Sequence, residues 1–254
     1  MKKIVFTIFV LTFFIIISCN PQEKEPSQIA WDSWGVPHIT ANNTDDLFYA
    51  QGWAQMHNHA NTILELYGNS RGKAAEYWGK QHIANDMLIH TLGFEDLAEV
   101  WEQTQGQEQS DIFKAFVKGL NDYAQAYPNE IDEKNKVVLP ITIKDLNMHS
   151  MYVIFSRFTG GGDLGRTQQW PDLGSNTYAI GPKKSASGNA MLVQNPHLPW
   201  WKEFLFFESH LRLGDKNMYG ATLVGMPGIS IGFNENLGWS HTNNTIDNVD
   251  TYEL

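Results

Sequence analysis

Two periodicities divide this chain. Between Thr44 and Phe158 apolar residues recur three and four positions apart, the spacing that puts side chains on one face of an α-helix. Beyond Ser175 they come in short runs broken by glycine, proline and asparagine, the pattern of strands and turns. The first element, Ile29 to Thr40, reads as a strand punctuated by Gly35 and Pro37. A helix follows, capped at Thr44, with Asp45 and Asp46 favourable in its first turn. Trp53, Met56, Ala60, Ile63, Leu64 and Tyr67 form its stripe, and Gly68 is its stop. A second helix is capped at Ser110 and carries Ile112, Phe113, Phe116, Val117, Leu120 and Tyr123 on one face. A third starts at Thr142-Ile143-Lys144-Asp145, a capping-box pattern with Asp in the acidic position. Its stripe is Met148, Met151, Tyr152, Phe155 and Phe158. Such stripes are core unless packing leaves a gap beside them.

The texture changes at Gly160-Gly161-Gly162, and the stretch to Leu173 is polar and loop-like. It is not a phosphate loop, because no Lys-Ser/Thr follows and no strand feeds it. Strand-like runs then cover Thr177–Gly181, Ala190–Gln194, Phe204–His210, Tyr219–Val224, Ile229–Phe233 and Leu237–Thr242, with turns at Ser187-Gly188 and Pro227-Gly228. The expected class is α+β, helical first and β afterwards.

A chain of 254 residues supports one large core or two small ones, and 42% hydrophobic content makes it globular. A formal net charge of −10 argues against nucleic acid or an anionic membrane surface as partner. The first residues change this picture. Lys2 and Lys3 precede an apolar run, Ile4 to Ile17, too short for a comfortable membrane span. It ends at Ser18-Cys19, the chain's single cysteine, and resembles a bacterial lipoprotein signal whose cysteine is lipidated. Residues 1–19 are therefore expected to direct export, to the periplasm or an outer-membrane anchor. Residues 20–28, rich in Glu, Pro and Gln, are expected to form a tether.

Two motifs mislead. Gly228-Ile229-Ser230-Ile231-Gly232 fits the G-x-S-x-G nucleophile elbow, but that elbow needs a helix directly after it, and a turn-like Asn234-Glu235-Asn236 follows. His57 and His59 lie two apart in a helical pattern, so they point to different faces and do not share an ion.

Gly174-Ser175 is the more informative pair. A serine hydroxyl is a weak nucleophile without a base beside it, and a free α-amine, of pKa about 7.7–8.0, is such a base near neutral pH. One cleavage before Ser175 would place nucleophile and base on one residue.

Around this junction the chain resembles the penicillin acylase family of N-terminal-nucleophile hydrolases, in particular its acyl-homoserine lactone and aculeacin acylases. The resemblance is carried by Asp32-Ser33-Trp34-Gly35-Val36-Pro37-His38-Ile39, Ala50-Gln51-Gly52-Trp53-Ala54-Gln55, Ser70-Arg71-Gly72-Lys73-Ala74-Ala75-Glu76 and Phe116-Val117-Lys118-Gly119-Leu120-Asn121. It continues through Gly174 to Trp200 with Asn195-Pro196-His197, then Gly225-Met226-Pro227-Gly228, Ile231-Gly232-Phe233-Asn234 and Gly238-Trp239-Ser240-His241-Thr242-Asn243. It implies an αββα sandwich and a precursor that cuts itself between Gly174 and Ser175. Ser175 then acts on an amide through an acyl-enzyme. It also implies that His197 supports Ser175 and that the main-chain N–H at Asn243 helps hold the oxyanion. Asp247, Val249 and Asp250, with Asp163, match a calcium-binding stretch; two carboxylates and a carbonyl suit a hard cation, and no cofactor is expected for the chemistry itself.

The implied organisation is a small-subunit segment at 29–159, a junction at 160–174 and the start of a large subunit at 175–254. The chain stops at Leu254 in a strand-like run, so the expectation is an N-terminal part of a longer enzyme, inactive by itself. Substrates would be N-acyl amides: acyl-homoserine lactones, penicillins or acylated peptides. The alternative is an exported, non-catalytic binding protein on the same scaffold, which would remain one uncut chain.

Overall fold

The computed structural model describes residues 27–159 and 174–242. Strands β1 (Gln28–Trp31) and β2 (Pro37–Ala41) form an antiparallel hairpin where the sequence reads as one strand. The Asp32 carboxylate accepts from the backbone of Trp34 at 2.8 Å and Val36 at 3.0 Å, and Gly35 sits at φ +80°, so the chain reverses there. Gln28, assigned above to the tether, pairs with Thr40 and belongs to the sheet.

Helix α1 (Thr44–Ser70) is capped by Asn43, not Thr44: the Asn43 side chain accepts from the Asp46 N–H at 2.9 Å. Gly68 does not stop it. Its missing β-carbon leaves room for Trp78, whose ring edge would lie 2.3 Å from that atom. Three shorter helices follow, α2 (Ala74–Trp78), α3 (Ile83–Thr91) and α4 (Phe94–Thr104). The next, α5 (Gln107–Ala126), starts one turn before the expected cap; the Ser110 N–H already donates to the Gly106 carbonyl at 3.0 Å. Helix α6 (Ile143–Val153) opens with the expected capping box, Thr142 and Asp145 exchanging side chain-to-backbone bonds, and continues as a π-helical turn over Ile154–Thr159. Asp145 also receives Arg71 in a bidentate pair at 2.6 and 2.8 Å, tying the end of α1 to the start of α6.

Helices α1 and α5 lie unusually close. A β-carbon on Gly52 would stand 2.2 Å from the Phe116 carbonyl oxygen, and one on Gly119 would stand 2.0 Å from that of Tyr49. Around this contact Ile63, Leu64, Tyr67, Phe116, Leu120 and Tyr123 are almost fully buried.

Strands β3 (Gly174–Ile180) and β4 (Met191–His197) form their own antiparallel hairpin. The remaining strands, β5 (Phe206–Leu213), β6 (Lys216–Leu223), β7 (Ile231–Phe233) and β8 (Gly238–Trp239), join the first two in a sheet ordered β1-β2-β5-β6-β7-β8. The pairing of β2 with β5 is parallel, in a register that sets His38 beside His210. Their Nδ1 atoms meet at 2.9 Å. The order is thus not helices first and strands second. Strands from both sides of the junction share one sheet, whose Ile39, Phe207 and Leu211 pack into the same core as α1 and α5.

Candidate active site

The β3–β4 hairpin carries the junction. Its register sets Gly174 opposite His197 and Ser175 opposite Pro196. Opposed residues in an antiparallel pair share a face, and successive residues alternate. One face therefore holds Gly174, Asn176, Tyr178, Met191, Val193, Asn195 and His197; from Asn176 on, each of these is exposed. The other holds Ser175, Thr177, Leu192 and Gln194, half-buried against the main sheet. The Gln194 amide donates to the carbonyls of Trp239 at 2.7 Å and Gly232 at 3.3 Å, and the Thr177 hydroxyl donates to Ser240 at 3.1 Å.

The Ser175 hydroxyl donates to the Gly174 carbonyl oxygen at 2.6 Å. Candidate nucleophile and candidate scissile carbonyl are thus held together. His197 is one strand away but on the opposite face from the Ser175 side chain. Its Nδ1 lies 3.5 Å from where a Gly174 β-carbon would be, and its Nε2 lies 3.1 Å from the Asn195 amide nitrogen. The hairpin thus brings Gly174, Ser175 and His197 together, with His197 beside the junction backbone rather than the hydroxyl. Asn243, Asp247, Val249, Asp250, Asp163 and Cys19 lie outside the described residues. Among the described residues, no group of three or more His, Cys, Asp or Glu converges as metal ligands, and no helix is long and apolar enough to cross a membrane.

The misleading motifs separate cleanly from this hairpin. Ser230 bonds the Thr222 hydroxyl at 2.9 Å, and strand β7, not a helix, follows it. His57 is exposed and stacks near Trp31, while His59 packs on Phe207 and burial pushes its pKa down.

Two blocks singled out by sequence, 50–55 and 225–228, prove to be halves of one clamp. Gln51 and Gln55, four apart on α1 and fully buried, face the loop before β7. Gln55 donates to the Met226 carbonyl and accepts from the Gly225 N–H, both at 2.8 Å. Gln51 donates to the Gly228 carbonyl at 2.9 Å and accepts from its N–H at 2.8 Å. Tyr67 adds a bond to the Gly225 carbonyl at 2.6 Å, and buried His149 donates to Val224 at 3.2 Å. Sequence reasoning missed the roles of Gln51, Gln55 and Asn195; the i, i+4 glutamines on an otherwise apolar face were the available signal. The Met148–Phe158 stripe packs as expected: Met148 and Tyr152 are buried with Leu223, and Leu198, the residue after His197, packs against them.

The penicillin amidase family model matches residues 26–254. The acyl-homoserine lactone acylase PvdQ of Pseudomonas putida is 25% identical over 285 residues, covering 96% of this chain and 36% of that protein. The aculeacin-A acylase of Actinoplanes utahensis is 40% identical over 257 residues, covering 84% of this chain and 33% of that one. A thermostable penicillin G acylase from Alcaligenes faecalis superposes with a TM-score of 0.47 at 20% identity, over 52% of this chain and 74% of that one. The chain spans about a third of the length of the curated relatives it matches. With the family match running over nearly the whole chain, this protein belongs to the penicillin amidase family.

Proposed function

We propose that the full-length protein is a self-processing serine amidohydrolase that cuts its own chain between Gly174 and Ser175 and then hydrolyses N-acyl amides through Ser175. The observation that carries this reading is the 2.6 Å contact between the Ser175 hydroxyl and the Gly174 carbonyl, in a chain whose relatives are acylases. In the first step the hydroxyl oxygen bonds the Gly174 carbonyl carbon, the Gly174–Ser175 amide breaks, and the hydroxyl proton ends on the released amine. Water then hydrolyses the ester. The freed α-amine serves as base when Ser175 attacks a substrate amide, forming an acyl-enzyme and releasing the amine. The main-chain N–H at Asn243 would stabilise the oxyanion, a role worth roughly 3–4 kcal/mol of barrier in comparable sites.

The substrate class follows the relatives: acyl-homoserine lactones, penicillins or acylated peptides. The contact of Leu198 with the Met148–Tyr152 cluster favours the region 148–158 as a wall of the acyl pocket. Asp163, Asp247, Asp250 and the Val249 carbonyl would hold a structural Ca²⁺. Cys19 would carry the lipid that anchors the exported protein. Small and large subunits of one precursor would remain associated through the shared sheet, the common core and the glutamine clamp.

The test is intact mass and N-terminal sequencing of the exported full-length protein. A large subunit beginning Ser175-Asn176-Thr177, absent in Ser175→Ala together with hydrolysis, is expected. A single uncut, well-folded chain would refute self-processing and favour the non-catalytic binding protein.

A further inference from the structure

We propose that Asn195 is a positioning residue for His197: its side-chain amide fixes the imidazole tautomer, so that an Nδ1–H donor, and not a lone pair, is turned to the Gly174–Ser175 junction. The catalytic consequence rests on the proposed self-processing; the tautomer does not.

The geometry is local and specific. Asn195 and His197 are two apart on β4 and share a face. Pro196 between them restricts Asn195 to extended backbone, which keeps the two side chains side by side. The amide nitrogen of Asn195 lies 3.1 Å from Nε2 of His197. An amide nitrogen only donates, so Nε2 accepts, and a neutral imidazole with an accepting Nε2 carries its proton on Nδ1. That Nδ1 faces Gly174, 3.5 Å from the position a β-carbon would take. A β-carbon at 174 would thus stand in ordinary van der Waals contact with the ring.

In this state His197 has no free lone pair near the junction, because the only one is held by Asn195. His197 therefore acts as a hydrogen-bond donor and not as the base. During cleavage the Ser175 hydroxyl proton passes to the departing amine, while Nδ1–H remains on His197 and supports the oxygen of the Gly174 carbonyl as charge develops. Once Gly174 has left, the same donor faces the α-amine of Ser175 and holds the water between them.

The test is magic-angle-spinning NMR of the full-length Ser175→Ala precursor labelled with ¹⁵N-histidine, with His197 assigned by its loss in His197→Gln. The Nδ1–H tautomer is expected; an Nε2–H tautomer at His197 overturns the proposal without any variant of Asn195. In the otherwise native precursor, Asn195→Asp substitutes an acceptor for the donor. It is expected to switch His197 to Nε2–H and to slow the appearance of the Ser175 N-terminus by about a hundredfold, the scale of losing one oxyanion donor. The same change in a His197→Gln background is expected to add little, which a merely structural asparagine would not show. Native cleavage rates in Asn195→Asp overturn the proposal. A native precursor that never yields an N-terminal Ser175 refutes the self-processing reading instead, whatever the tautomer.

Discussion

Replacing Gln55 by leucine tests how the region after the junction is held to the helices before it. The side chain is fully buried and makes two bonds of 2.8 Å, one to each of Gly225 and Met226. Leucine keeps nearly the same volume, so the cavity contribution is small. What changes is that the Gly225 N–H and Met226 carbonyl lose their partner. Each stranded buried group costs about 1–3 kcal/mol, so the variant should lose roughly 3 kcal/mol, near a hundredfold in the folding equilibrium. Gln51 sits one turn away on α1 and limits the loss by holding the same loop at Gly228. Urea unfolding followed by tryptophan fluorescence measures it, in the Ser175→Ala background so that the protein stays one polypeptide. Amide exchange at Gly225 supplies the local readout and should accelerate by a similar factor. A loss below about 0.5 kcal/mol with Gly225 still protected would show that the clamp does not hold the loop.

Gly119→Ala puts a β-carbon 2.0 Å from the Tyr49 carbonyl, so α1 and α5 must separate; a loss of at least about 2 kcal/mol in the same assay is expected. Burial pushes the His149 pKa from its ordinary 6.5 down to about 4, with its Nδ1 lacking a partner in the described structure. The unfolded chain therefore binds more protons between these values, and His149 contributes stability that is complete above pH 6.5 and lost as pH falls toward 4. The loss is about 3 kcal/mol at most, and His149→Phe should flatten that limb of a pH-stability profile. Ser230→Ala removes one hydroxyl bond, to Thr222, costs about 1 kcal/mol, and should leave the hydrolysis proposed for the full-length protein unchanged.

Helical periodicity located α1, α5 and α6 because each buries a continuous apolar stripe against a neighbour. Ends were less legible. Asn43 and Thr44 are both good caps, and only the backbone of Asp46 decides between them. Gly68 reads as a stop, yet it is there because Trp78 lies against it. Helix α2, five residues long, carries too few turns for a stripe to emerge, while α4, as long as α6, buries only Phe94 and Ala98.

The sequence alone determined the main helices and strands and the family, because local periodicity, turn residues and motif blocks are written in neighbouring positions. Only the tertiary structure decided the rest. It showed β2 pairing in parallel with β5 across the junction, Gln51 and Gln55 meeting the loop at Gly225–Gly228, and His197 facing Gly174 rather than the Ser175 side chain. Each of these depends on hydrogen-bond register or on backbone groups far apart in the chain. A polar side chain's type in the sequence does not reveal which distant N–H or carbonyl it will satisfy once water is excluded.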